Sequence, residues 1–556
     1  MSTEIPGRIP ARVSLTLLLA TALAFTQPTF AQQQPAAPAA PAPAPWQPRI
    51  HFYSPPNWIN DPNGPIFLNG QYHIFFQFNP FGDQWGHMSW GHAVSPDLTH
   101  WKQLPVALSE ENGIAIFSGS VVEDRDNTAG LCGEAGKPAP GCLIAIYTGA
   151  SQGKQTQNLA FSRDGVTSWT KYASNPVLDL SLKEFRDPKV FWHAASKSWV
   201  MVVSLPDQHK LRIFRSKNLR QWDQASEFGP AGAVSGAWEC PDLFELPVRD
   251  IKGRFVTSSW LLSVNINPGG PAKGSADQYF VGQFDGFRLV DDHPGSAARW
   301  ADWGKDFYAS TSFSNIPPDQ DRVWIAWMSN WQYAAKLPSL PGRGEMTVAR
   351  RLYLRQPPPN SAPIYQGTLL LVQQPILPIP DLKPYTAMFG APSLQTIDQA
   401  NARIVAQKQS GRAYRLSFIL NPGDAQETGV RLRRSSANPN DPTSEETVVG
   451  VDTFNGRIFV DRTRSGKTDW SPDFPARVSA PLKDARAASI PIQIVVDDNS
   501  IEVFAEDGET VLTNLIYPSA ASQGLAFYSA TTPPGEGPAL VRNVELTPLE
   551  QTPASK

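Results

Sequence analysis

One short pattern recurs through the first half of the chain and limits what the chain can fold into. Ser95-Pro96-Asp97-Leu98-Thr99-His100-Trp101, Ser162-Arg163-Asp164-Gly165-Val166-Thr167-Ser168-Trp169 and Ser216-Lys217-Asn218-Leu219-Arg220-Gln221-Trp222 each present a Ser, a turn-forming Asp or Asn and a closing Trp. The Trp residues stand 68 and then 53 positions apart, a period that suits one four-stranded sheet per unit in a β-propeller. Between the copies, apolar and polar residues alternate at strand period. Gln71 to Phe78 follows an Asn69-Gly70 turn, and similar pieces run over 143–148, 190–192 with 199–204, 211–214 and 323–328. No long helical period competes with them. An all-β chain is expected, with a five-bladed β-propeller over 46–355, because units of this size fit about five times into that span. Gln356-Pro357-Pro358-Pro359 opens a Pro-rich stretch that predicts a linker over 356–392. Beyond it, short turn-separated strands such as Tyr414 to Leu420 and Ile501 to Phe504 predict a C-terminal β-sandwich over 393–550.

The N-terminus predicts the compartment. Arg8 and Arg12 precede an apolar run from Val13 to Phe25, and Thr29-Phe30-Ala31 offers small residues where a signal peptidase reads. The reading is a signal peptide over 1–31, an extended Ala/Pro-rich linker over 32–45, and a secreted or periplasmic protein, with a retained membrane anchor as the weaker alternative because Pro28 and the Gln run follow the apolar stretch at once. In such an oxidising compartment Cys132 and Cys142, which bracket a Gly/Pro/Ala loop, are candidates for a disulfide. The third cysteine, Cys240, is left over and expected to be buried. A formal charge of −3 gives no field that would draw the chain to nucleic acid or to an anionic membrane, so a neutral partner is expected.

Three acids stand in constrained surroundings: Asp61 in Trp58-Ile59-Asn60-Asp61-Pro62-Asn63-Gly64, Asp187 in Phe185-Arg186-Asp187-Pro188, and Glu239 in Trp238-Glu239-Cys240-Pro241-Asp242. A proline at the next or next-but-one position restricts the backbone beside each acid. The repeat assigns them to the openings of blades one, three and four. The first strand of each blade lines the central channel, so the acids are expected to converge. Converging carboxylates serve glycosyl transfer, where one protonates the leaving oxygen and another attacks or activates water. Their repulsion, within aromatic walls from Trp58, Trp85 and Trp238, is expected to raise the pKa of one and keep it protonated as the acid.

Rival readings are weaker. Asp-Pro and Asp-Pro-Asn-Gly are common turns, and any one of the acids alone would be read as structural. No Asp-rich loop of EF-hand spacing occurs, and His87 and His92 lack zinc-type partners, so no metal is expected. Phe117-Ser118-Gly119-Ser120 lacks the Gly-flanked serine of a nucleophile elbow, leaving Ser118 as a hydroxyl that binds sugar. Cys240 has no His partner in the sequence nearby, which favours packing over thiol catalysis. Phosphate-cradling Gly loops are absent and no cofactor is expected.

Taken together, these strings resemble glycoside hydrolase family 32, the fructan- and sucrose-cleaving enzymes, and within it the levanase and exo-inulinase group. The resemblance runs from His51-Phe52 through 85–92, 117–120, Arg186-Asp187-Pro188, 238–246, Asp306-Phe307-Tyr308 and 329–333 to Asp461 to Gly466 and Ile501 to Phe504 in the sandwich. It implies a propeller carrying the site, a sandwich behind it, and hydrolysis with retention. Asp61 would attack C2 of the fructosyl unit, Glu239 would serve as acid and base, and Asp187 would bind ring hydroxyls. Asn60, Gln77, Trp85, Phe117, Ser118, Arg186 and Trp331 match positions that line the fructose pocket. Relatives often have Pro-Trp-Arg and Pro-Arg-Glu where this chain has Pro341-Gly342-Arg343 and Ala349-Arg350-Arg351, so an aromatic and an acid are expected to be missing near the rim.

The leading expectation is an exo-acting β-fructosidase on levan, inulin or sucrose. Fructosyl transfer, disaccharide release or endo action on fructan is the alternative within the enzyme class. A non-catalytic fructan-binding protein is the alternative outside it, disfavoured because all three acids are present. With Trp470 the only Trp after Trp331, the sandwich is expected to act as a brace, not as a sugar-binding platform.

Overall fold

The computed structural model describes residues 46–133, 141–338, 342–357, 367–379, 394–438, 441–530 and 537–549. The expected signal peptide and Ala/Pro tract, 1–45, lie outside them, as do Pro341 and much of the expected linker.

The alternating segments pair with their sequence neighbours into antiparallel meanders, the first three as separate four-stranded sheets and the last two joined in one nine-stranded sheet by a short parallel pairing of Val248 and Arg249 with Leu354 and Arg355. Blade one runs Trp58–Leu68, Gln71–Asn79, Ser89–Ser95 and Lys102–Leu108. Blades two, three and four open with Ala115–Asp124, Arg186–His193 and Ala237–Arg249. Blade five consists of Tyr308–Ser312, Arg322–Trp327, Arg350–Arg355 and Leu370–Pro375. Each opening strand packs beside the opening strand of the next blade, and the fifth packs beside the first, which closes a ring.

The apolar residues of the meanders meet between blades. Ile66, Phe75 and Trp90 of blade one pack on Val121 and Leu143 of blade two, Ile144 and Leu159 on Val190 and Met201 of blade three, and Val200 and Ile213 on Leu262 and Phe280 of blade four. Leu246 and Leu261 then meet Trp324 and Leu354 of blade five, and Val323 and Ile325 return to Ile59, Ile74 and Phe76. Burial at five such seams is the main favourable term for this half of the molecule.

Blade five corrects the expected boundary. Leu370–Pro375 lies inside the expected linker 356–392, yet it pairs along its whole length with Arg350–Arg355. Leu371 joins the core with Leu352 and Leu354, and the surrounding prolines had hidden that short apolar strand. The sandwich is a six-stranded sheet facing a five-stranded one, with Leu416, Phe418, Val430, Val449, Ile492, Val503 and Phe527 between them. One helix that strand periodicity does not suggest, Ile397–Ala406, begins at a capping box formed by Thr396 and Gln399.

Buried charge joins the propeller to the sandwich. His51 lies 2.8 Å from Asp497 and 3.0 Å from Glu502. Arg350 reaches Glu502 at 2.6 Å and Asp302 at 3.1 Å, and Arg462 reaches Asp306 at 2.6 Å. Arg350, the middle residue of the Ala349-Arg350-Arg351 string, is fully buried at this junction.

Candidate active site

The hydrogen-bond ladder slips once near the start of all five opening strands. The slips fall between Ile59 and Pro62, Ile116 and Gly119, Arg186 and Lys189, Glu239 and Asp242, and Tyr308 and Thr311. At each, two residues face one on the neighbouring strand, which is a β-bulge and re-aims the side chains around it. The bulged pairs are Asn60-Asp61, Phe117-Ser118, Asp187-Pro188, Cys240-Pro241 and Ala309-Ser310. The prolines stand where the ladder is already broken and no N–H is needed. Asp187, Cys240 and Ala309 take positive φ, at 65°, 43° and 54°. Close packing beside the first bulge requires glycine: a Cβ on Gly64, which has φ +44°, would lie 2.5 Å from Val121 Cγ2 and 2.9 Å from its backbone nitrogen.

This ring of bulges gathers the three acids around one thiol. Cys240 Sγ lies 3.6 Å from both Asp61 Oδ2 and Asp187 Oδ2, and the Cys240 N–H donates to Asp187 Oδ2 at 3.0 Å. Asp61 accepts from Asn60 Nδ2 at 3.0 Å and from Ser118 Oγ at 2.8 Å, and Trp58 Nε1 fixes the Asn60 carbonyl at 2.8 Å. The Asp187 N–H donates to Thr148 Oγ1 at 3.0 Å. Glu239 is held at both oxygens. Arg186 donates from Nε and Nη2 to Oε1 at 3.0 and 2.8 Å, and the Tyr308 hydroxyl donates to Oε2.

Desolvation raises the Asp61 pKa against the hydrogen bonds of Asn60 and Ser118, and the charge of Glu239 adds to the rise. Burial likewise pushes Asp187 up to about 7, opposed by Arg186 and reinforced by Glu239 and Asp61. The elevation expected from repulsion therefore falls on these two aspartates, with burial as its main cause. Cys240 packs against the cluster of Trp58, Met88, Tyr308 and Trp327, and its thiol is pushed well up by burial and then by the three carboxylates, so it stands as a neutral S–H between two acids and not as a thiolate nucleophile.

The aromatic surroundings differ in part from expectation. Trp85 is half exposed, at 51%, with Phe117 edge-on to it at 6.1 Å. Trp331 stacks on Trp58 at 6.0 Å and leans on Trp327 at 4.9 Å. Trp238 is no wall of the site, because it is fully buried against Phe280 in the seam between blades three and four. Gln77, opposite the first bulge, is buried and donates to Asn63 Oδ1 at 2.7 Å. His87 pairs with Glu110 and His92 with His73. Among the described residues no three His, Cys, Asp or Glu side chains are grouped to hold a metal ion. Cys132 and Cys142 are joined as a disulfide. Tyr308 and Thr148, which sequence reasoning gave no role, belong to the site. Tyr308 stands within one of the strings that carried the resemblance, but nothing in its own neighbourhood of the sequence marks it.

Comparison with known proteins places this geometry. The N-terminal domain of glycosyl hydrolases family 32 matches residues 51–366, and the C-terminal domain of the same family matches 390–546. The chain is 41% identical over 512 residues to a levanase of Bacillus subtilis (strain 168), covering 91% of this chain and 71% of that protein. It is 36% identical over 509 residues to an extracellular exo-inulinase of Aspergillus awamori, covering 86% and 90%. The crystal structure of exo-inulinase from Aspergillus awamori superposes with a TM-score of 0.78 at 34% identity, covering 91% of this chain and 99% of that one. A β-fructofuranosidase from Schwanniomyces occidentalis complexed with fructosyl-erythritol gives 0.74 at 31%, covering 90% and 98%.

Proposed function

Because the chain belongs to glycosyl hydrolases family 32 and is a β-fructosidase of fructan or sucrose, we propose that it releases terminal fructose by a two-step, retaining reaction at the ring of bulges. Asp61 attacks C2 of the fructosyl unit while Glu239 gives its proton to the departing glycosidic oxygen. Glu239, now ionised, takes a proton from water, the water oxygen bonds to C2, and the ester to Asp61 breaks. Protonation of Glu239 removes only the repulsion that adds to the burial-driven rise at Asp61, while the hydrogen bonds from Asn60 and Ser118 favour the Asp61 anion that attacks. Asp187, anchored by the Cys240 N–H, holds ring hydroxyls as positive charge develops at C2.

The observation that carries this reading is the pairing of two differently held carboxylates. Asp61 receives neutral donors from Asn60, Ser118 and the Cys240 thiol, whereas Glu239 is gripped at both oxygens by Arg186 and Tyr308. Exo action and export are inferred from relatives named as extracellular exo-inulinases, and the Cys132–Cys142 disulfide agrees with an oxidising compartment. Chromatography of the products from sucrose, inulin and levan tests the reading. Fructose is expected as the sole product released from the fructans, and Asp61→Asn and Glu239→Gln are each expected to lose at least about a thousandfold in rate with the fold intact. A ladder of oligomers would overturn exo action, and near-normal turnover in either variant would overturn the assignment of roles.

A further inference from the structure

We propose that Glu184 is a positioning residue that sets the pH range over which Glu239 can donate its proton, by taking one end of the Arg186 guanidinium. The inference rests on the acid role of Glu239 given above. Arg186 bridges two carboxylates: its Nε and Nη2 both donate to Glu239 Oε1, at 3.0 and 2.8 Å, while its Nη1 donates to Glu184 Oε2 and, at 3.2 Å, to Gln155 Oε1. A guanidinium set against one carboxylate favours that carboxylate's ionised form. That attraction orients Glu239 but opposes its service as an acid, which must hold a proton until the bond to the leaving oxygen breaks.

A second negative charge at the far end of the same planar cation reduces the field felt by Glu239 and leaves the geometry in place. Glu184 is suited to this. It lies two residues before Arg186 with its side chain 24% exposed, and apart from Arg186 its ion-pair partner is the largely exposed Lys183 at 3.8 Å. Glu239 is also faced by Tyr308 from blade five, Asp61 from blade one, Asp187 from blade three and its own neighbour Cys240. Of these, Asp187 also lies against the Arg186 guanidinium, 4.0 Å from its Nε, and a substrate whose leaving group needs no proton separates an effect carried through Asp187 from one on Glu239.

The test is the pH profile of kcat/KM for sucrose in the wild type, Glu184→Gln and Glu184→Asp. Glu184→Gln removes the balancing charge, so Glu239 loses its proton at lower pH. The alkaline limb is expected to move down by about half a pH unit or more, whereas Glu184→Asp keeps the charge and stays near the wild-type limb. With β-fructosyl fluoride, whose leaving group needs no proton, the limbs of all three proteins should coincide. An unmoved limb in Glu184→Gln, a limb moved upward, or the same displacement with the fluoride would overturn the proposal. A wild type that hydrolyses neither substrate would overturn the function on which it rests.

Discussion

Glu239 has one oxygen against a cation and the other against a phenol, and these contacts divide two tasks. Arg186 orients the carboxyl, while the buried Tyr308 hydroxyl, donating to Oε2, steadies the anion formed once the proton has left. A hydrogen bond to a charged group contributes about 1.5–3 kcal/mol, so Tyr308→Phe is expected to lower kcat/KM roughly tenfold to a hundredfold. Because the ring stays packed against Trp327, thermal denaturation should move little. Steady-state kinetics on sucrose beside a melting curve checks both, and activity within twofold of wild type would remove Tyr308 from this role. Tyr308 was not legible as a site residue, whereas Asp61, Asp187 and Glu239 were, and the difference is physical. The bulges that position the acids carry Pro62, Pro188 and Pro241 in or beside them, a visible mark of a broken ladder. The blade-five bulge is Ala309-Ser310 and leaves no such mark. Trp238 misled for the converse reason: it adjoins Glu239, but on a strand successive side chains point to opposite faces, so the acid faces the site and the indole the seam.

At the scale of elements, the recurring Ser–Asp–Trp pattern is the turn between the third and fourth strands of a blade. Ser95, Ser162 and Ser216 each end a third strand. Asp97 Oδ1 accepts the N–H groups of Thr99 and His100, Asn218 Oδ1 accepts those of Arg220 and Gln221, and the residue after each takes positive φ, at Leu98, Gly165 and Leu219. Blade four has the same turn at Asp285-Gly286, with Asp285 Oδ1 accepting from Phe287 and Arg288. It escaped notice because neither the Ser nor the Trp is present there. The helix at 397–406 was similarly hidden: its Thr-Ile-Asp-Gln capping signal is readable in the sequence, but ten residues beside a Pro-rich stretch give too little apolar period to stand out. Asp97→Ala is expected to cost about 1–2 kcal/mol of stability, read as a lower urea midpoint at neutral pH. For Asp97, burial favours the neutral form but is outweighed by the N–H and ring of His100 and by Thr99, which hold its pKa down at about 2. The advantage of wild type over the variant is therefore present above the ordinary value of 3.8 and is lost as pH falls toward about 2. A difference that did not narrow over that fall would show that the turn is held by something other than this carboxylate.

The molecule as a whole depends on contacts that no local reading of the sequence could supply. His51 stands at the propeller's start and its partners Asp497 and Glu502 lie more than 440 positions on, so their meeting is a product of the finished fold. The sandwich's one tryptophan is turned toward the propeller, where Trp470 packs with Tyr333, Phe474 and Tyr517, an arrangement that supports the brace reading. Burial alone would strip the proton from His51, but hydrogen bonds and charge from Asp497 and Glu502 prevail and raise its pKa to about 10. A histidine raised in this way stabilises the native state fully below its ordinary value of 6.5, and that contribution is lost as pH rises from there through about 10. The loss can reach about 1.4 kcal/mol per pH unit. Other groups titrate in the same span. Lys305, lowered to about 8 mainly by burial, acts in the opposite direction above that pH, so the informative quantity is the difference between wild type and His51→Gln. Removing one partner from a buried ion cluster costs about 3–5 kcal/mol, and His51→Gln is expected to show most of that loss near pH 7. Denaturant titrations repeated from pH 7 to pH 10 should then find the two proteins converging as wild-type His51 gives up its proton. If the gap stays constant across that range, the junction is held by the shape of the side chain and not by its charge.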